Sequence, residues 1–112
     1  MTPDEFRDIA LSLPGTVEGA HMSHPDFRAN GRIFASLHTG DATGMVKLTP
    51  EEQAEFLKLK PAMFHPSSGA WGRQGCTNVI LGKADARTLR QAMTLAWEGV
   101  MAKPPAKRRA RR

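Results

Sequence analysis

The sequence predicts an α+β two-layer sandwich, an antiparallel sheet carrying helices at the N-terminus, in the middle and at the C-terminus. Three observations predict it. Two helix starts of one design, Thr2-Pro3-Asp4-Glu5 and Thr49-Pro50-Glu51-Glu52, stand far apart in the chain. Between them, alternating apolar and polar residues surround Asn30-Gly31, the strongest short hairpin signal. A third apolar stripe, Leu89, Ala92, Met93, Ala96, Trp97 and Val100, recurs at helical spacing near the end. Hairpin-joined strands interrupted by single helices fit a sheet with one face covered.

Each element has its own reason. In the first helix Thr2 caps, Pro3 suits the first helical position and Glu5 completes a capping box. Phe6, Ile9, Ala10 and Leu13 then share one face, and Pro14-Gly15 ends the run. A weakly signalled strand covers Val17 to Met22. Pro25 is expected to break it, and a clearer strand begins at Asp26 and runs to Ala29. The return strand, Arg32 to His38, alternates: Ile33, Ala35 and Leu37 on one face, Arg32, Phe34, Ser36 and His38 on the other. Thr39 to Gly44 reads as a second turn before a strand over Met45 to Leu48. The second helix takes Ala54, Leu57 and Phe56 as its inner face and stops before Pro61. Phe64 to Leu81, FHPSSGAWGRQGCTNVIL, reads as a glycine-rich turn around Trp71 followed by a strand, Thr77 to Leu81. The glycines let the backbone come close to a neighbour, and the indole supplies contact area. Asp85 caps the last helix, which extends to about Ala102, and Pro104-Pro105 closes the fold.

Length and composition narrow the function. At 112 residues, 40% hydrophobic and 24% charged, the chain is one globular domain with a modest core. No apolar run approaches the roughly 20 residues of a spanning helix, so no membrane partner is expected. Acidic residues near the start and a single cysteine, Cys76, lead to the expectation of a cytoplasmic protein. The net charge of +5 is unevenly placed. Six of the 16 basic residues fall in 103–112, which leaves ten basic against eleven acidic residues in 1–102, a net charge of −1. The expected organisation is thus an α+β domain over 1–102 and a disordered basic tail over 103–112.

The segments ALSLPGTVEG, HPDFRANGRIFASL, MVKLTPEEQAEFL and WGRQGCTNVIL, in that order and spacing, resemble the MmcQ/YjbR family of small bacterial proteins. The resemblance spans residues 2–102. It implies the family's "double wing" α+β fold, similar to type III secretion chaperones, and a DNA-binding role. It lends no catalytic motif to these positions.

If the wings exist here, they are the Asp26 to Phe34 hairpin and the Ala70 to Gly75 loop. Arg28, Arg32, Lys47, Arg73 and Gln74 would then meet phosphates, and Lys107, Arg108, Arg109, Arg111 and Arg112 of the tail would add nonspecific attraction. Against this stands a nearly neutral body, with the arginines as solvated hairpin charges and Trp71 as core. An alternative reading places His21, His24, Trp71 and Arg73 around a cleft for a small molecule with a carboxylate or planar ring. A protein partner or weak homodimer is a further option beside a monomer. No metal or cofactor is expected: His21-x-x-His24 has one residue too few for the helical zinc spacing, and His38, His65 and Cys76 complete no ligand motif. Nor does any base stand beside Cys76 in sequence to make it a nucleophile.

Overall fold

The computed structural model describes residues 1–104. The elements are α1 (Pro3–Leu11), β1 (Val17–His21), β2 (His24–Ala29), β3 (Arg32–His38), β4 (Thr43–Lys47), α2 (Pro50–Leu59), β5 (Phe64–Pro66), α3 (Gly69–Arg73), β6 (Cys76–Ile80) and α4 (Ala86–Met101). All six strands form one antiparallel sheet in the order β1-β2-β3-β4-β6-β5. The expected α+β class and helix placement are what the chain adopts.

The helix starts form as the sequence dictates. The Glu5 amide donates to Thr2 Oγ1 at 3.1 Å while the Thr2 amide donates to Glu5 Oε1 at 2.7 Å. Thr49 and Glu52 repeat the arrangement at 3.1 and 2.9 Å. Asp85 caps α4 by accepting the Thr88 amide at 2.9 Å. Each cap contributes about 1 kcal/mol by satisfying donors that the first turn leaves open.

The core lies on one face of the sheet. There α4 packs across β2, β3 and β4, and α1 packs on α4 and β3. Phe6, Phe27, Phe34, Leu37, Val46, Val79, Leu89 and Met93 are fully enclosed. Gly44 belongs to β4 rather than to a turn, and its bare Cα receives the ring of Phe6. At the other end of the sheet α2 packs on β5 and β6, with Phe56 against Phe64 at 5.3 Å between ring centroids. Ala54 is exposed, so the inner side of α2 is Gln53, Phe56 and Leu57. Gln53 Nε2 donates to the carbonyls of Gly72 and Cys76, both at 3.0 Å, and so pins α3 and β6 to α2.

Three local departures from expectation have physical causes. Pro25 lies inside β2, opposite Ala20, and the break falls instead at Met22 and Ser23, whose φ values of 50° and 69° make a two-residue turn from β1 to β2. In β3 a bulge intervenes: Phe27 pairs with Ala35 but Arg28 pairs with Ile33, leaving Phe34 as the extra residue. The inserted residue reverses the alternation, so Phe34 joins the core and Ile33 turns to the opposite face. The expected loop from Ala70 to Gly75 is mostly the short helix α3, because buried Gly72 lies against the Ser67 carbonyl where a Cβ could not fit.

The Asn30-Gly31 turn forms as predicted, with φ of 55° and 73°. Asn30 also donates its side-chain amide to the carbonyls of Val100 and Lys103, each at 2.9 Å, which closes the end of α4. Arg32 donates to the Pro104 carbonyl at 3.0 Å. Lys103 and Pro104 thus lie against the hairpin. The tail charges Lys107, Arg108, Arg109, Arg111 and Arg112 lie outside the described residues.

Candidate functional site

The face of the sheet opposite α1 and α4 forms a groove of about 730 Å³. Strand alternation decides what lines it. From β3 come Ile33, Ser36 and His38; from β4, Thr43, Met45 and Lys47; from β6, Cys76 and Asn78; from β1 and β2, His21 and Arg28. Their sequence neighbours Phe27, Leu37, Val46 and Val79 go to the core. Trp71 of α3 stands at the rim with 66% of its surface exposed, so it is not a core residue. Ser67 and Ser68, just before α3, complete that end, with Ser67 Oγ donating to Asn78 Oδ1 at 2.7 Å.

The other end of the groove is ionic. Asp26 is fully buried between β1 and β3. Arg28 grips it through two bonds, Nε to Oδ1 at 2.7 Å and a terminal nitrogen to Oδ2 at 3.0 Å. His21 Nδ1 meets Oδ2 at 2.8 Å. The Arg28 hydrogen bonds outweigh burial and hold the Asp26 carboxyl below the usual carboxylate range, with His21 adding to the effect. The same bonds raise Arg28. An ionised carboxylate only accepts, so the His21 proton facing it is on Nδ1, and Nε2 is left for the groove.

His38 is half-buried, its Nε2 3.3 Å from Ser36 Oγ, and its ring is 4.4 Å from that of His24. Burial lowers its pKa, and His24 adds to the shift. Burial likewise pushes the Cys76 thiol up, so it is a protonated thiol in the groove wall and not a ready nucleophile. Among the described residues no group of three or more His, Cys, Asp or Glu could hold a metal ion, and no helix is long and apolar enough to cross a membrane.

The site residues expected from sequence are therefore divided. Arg28, Arg32, Lys47, His21 and Trp71 share one groove. His24 stacks behind it on His38 without lining it, and Arg73 and Gln74 at the end of α3 lie outside its lining. Asp26, Ser36, Ser67 and Asn78 were not singled out, and His38 was weighed only as a metal ligand. Asp26 had a readable signal, a carboxylate two residues before an arginine on a strand, which places both on one face. The contribution of Asn78 depends on β4 and β6 being neighbours, which no local pattern announces.

A family model described as YjbR matches residues 11–99 of the chain. No curated protein matches. Among solved structures, the fold is similar to that of the Deinococcus radiodurans protein DR2400, whose crystal structure carries the domain DUF419. The TM-score is 0.77 and the identity 20%, over 91% of this chain and 80% of that one.

Proposed function

The chain belongs to the YjbR family, and from that premise we propose that it is a non-enzymatic, weak nucleic-acid-binding domain whose contact surface is the open groove of its sheet. The observation that carries this reading is Trp71, 66% exposed on the rim of a groove that also holds Lys47 and Arg32. An indole left in water at a concave, partly basic surface is a stacking platform for an unpaired base, and Lys47 in the same groove suits the backbone. The groove favours a single strand over a duplex. Arg28 is already matched by Asp26, Arg32 is turned to the Pro104 carbonyl, and Arg73 stands apart, so two wings of free arginines do not support a grip on duplex phosphates.

Few unmatched charges in the groove also mean few phosphates per site, hence a shallow salt dependence for the groove itself. The charges of residues 107–112 would add a steeper, sequence-independent component. A second reading has one observation in its favour: a groove of about 730 Å³ falls within the range for a small ligand, and a planar anion such as a nucleotide would use the same Trp71 and the same cations.

The test is binding of labelled single-stranded and duplex DNA at two salt concentrations. It would use the full chain, a variant with Lys107, Arg108, Arg109, Arg111 and Arg112 replaced by glutamine, and Trp71→Ala. Single-strand binding that survives the tail replacement and falls in Trp71→Ala places the function in the groove. Binding lost with the tail charges and indifferent to Trp71 would overturn the proposal.

A further inference from the structure

The ionic end of the groove has a use that general strand binding does not require. Asp26 is a carboxylate with no exposed surface, while the two side chains that it holds, Arg28 and His21, keep 41% and 43% of theirs. A buried carboxylate orienting an exposed guanidinium and an exposed imidazole is the arrangement that fixes ligand-facing groups before the ligand arrives. The neighbouring strand makes room for it. Gly19, opposite Asp26, has no side chain, and a Cβ there would stand 3.1 Å from Asp26 Oδ1 and 3.2 Å from Arg28 Nε. Of the five N–H donors of Arg28, two are spent on Asp26 and three remain. His21 has Nε2 left.

We propose that Arg28 and His21, oriented by Asp26, form a subsite for a terminal phosphate monoester, either the end of a nucleic-acid strand or the phosphate of a free nucleotide. It rests on the reading of the groove as a nucleic-acid site, with the strand running from the subsite across the sheet towards Trp71. A guanidinium with three open donors matches the three outer oxygens of a phosphate monoester, and Nε2 shares one proton with such an oxygen whichever partner brings it. Asp26 cancels one positive charge, so the subsite favours an end over an internal diester by offering directed donors, not by bulk charge. The groups that face it are few: His24 on β2, Arg32 and His38 on β3, Asp41 in the turn after β3 and Lys47 on β4. Of these only Asp41 opposes an anion, and it is exposed and accepts a hydrogen bond from Thr43.

The experiment compares short single-stranded oligonucleotides that differ only in a terminal phosphate, with a mononucleotide as competitor, on the full chain. The phosphorylated strand is expected to bind about tenfold more tightly, in line with one additional set of charge-assisted bonds. That preference should vanish in Arg28→Gln and in His21→Gln and shrink in Gly19→Ala, with circular dichroism showing each variant folded. Should Arg28→Gln unfold, the His21→Gln variant at the sheet edge carries the test. Displacement of the strand by the mononucleotide at comparable concentration would assign the subsite to free nucleotides as well. Equal binding of the two strands overturns the subsite while leaving strand binding in place. No binding of strand or mononucleotide overturns both.

Discussion

The ring of Phe6 occupies the space above Gly44 where a side chain would otherwise stand, with Cε2 only 2.5 Å from the position of a Cβ. This contact sets α1 on β4 and fixes how closely the helical layer approaches the sheet. Gly44→Ala is expected to destabilise the fold by about 1–3 kcal/mol, the usual cost of overpacking a filled core. Phe6→Leu in the same chain should recover part of that loss, and the non-additivity would appear in a double-mutant cycle of denaturant unfolding.

Asn30 serves two ends at once, and two substitutions separate them. Asn30→Gly keeps the left-handed turn and loses the bonds to Val100 and Lys103, for an expected loss of about 1 kcal/mol. Asn30→Ala loses the bonds and adds strain at a φ of 55°, for about 1–2 kcal/mol more. Equal losses in the two variants would show that the turn tolerates alanine and that the cap carries the whole effect.

Asp26 gives the fold an acid-sensitive component. Its folded pKa lies below its usual value, so the folded state binds fewer protons there than the unfolded state. The stabilisation is complete above the ordinary carboxylate value of about 3.9 and is lost as pH falls through that value towards the lower folded one. Asp26→Asn should therefore be less stable than the parent at neutral pH, with the gap closing in acid. Parallel stability curves for the two proteins across that window would contradict this assignment.

Trp71 is expected to matter to binding and not to folding. Trp71→Ala should change unfolding stability by no more than about 0.5 kcal/mol, as for other exposed positions. Removal of one stacking platform should weaken single-strand binding by about 1–3 kcal/mol. Thermal unfolding and a binding titration on the same preparation check both halves.

Cys76 can report occupancy of the groove. Its raised pKa and its burial predict slow reaction with a thiol reagent at neutral pH. A strand in the groove should slow it further, because Cys76 and Lys47 pair across β6 and β4 on the groove floor. An unchanged rate under saturating ligand would place the ligand elsewhere.

Much of the fold was legible because its signals are local. Thr2 with Glu5, Thr49 with Glu52, Asp85, and Asn30 with Gly31 each act within a few residues, and each forms as read. In β3 the faces of Arg32 and of Ala35 to His38 were legible, but those of Ile33 and Phe34 were not, because a bulge exchanges them and its position depends on pairing with β2. The turn at Met22 and Ser23 was missed because neither residue favours positive φ, and the flanking ladder imposes it. For the site, the basic residues and Trp71 were readable as types. That Lys47 faces the groove while Arg73 does not depends on the β4–β6 pairing and on Gly72 folding α3 against Ser67.

The order of the sheet also bears on when the groove comes into being. Strands β1 to β4 form a meander of neighbours, and β5 and β6 join each other separately, so within the sheet the β4–β6 ladder is what unites the two parts. Closing that ladder requires the intervening chain, with α2 and α3, to fold back on itself, an entropic cost met before its contacts are rewarded. The ladder is therefore the natural late step in assembly. Met45 with Asn78 and Lys47 with Cys76 face each other across it. A chain with both halves structured but unjoined would have no floor on which to receive a ligand, so a ligand that spans the ladder would act as a clasp, slowing unfolding in proportion to how far it reaches from one half to the other.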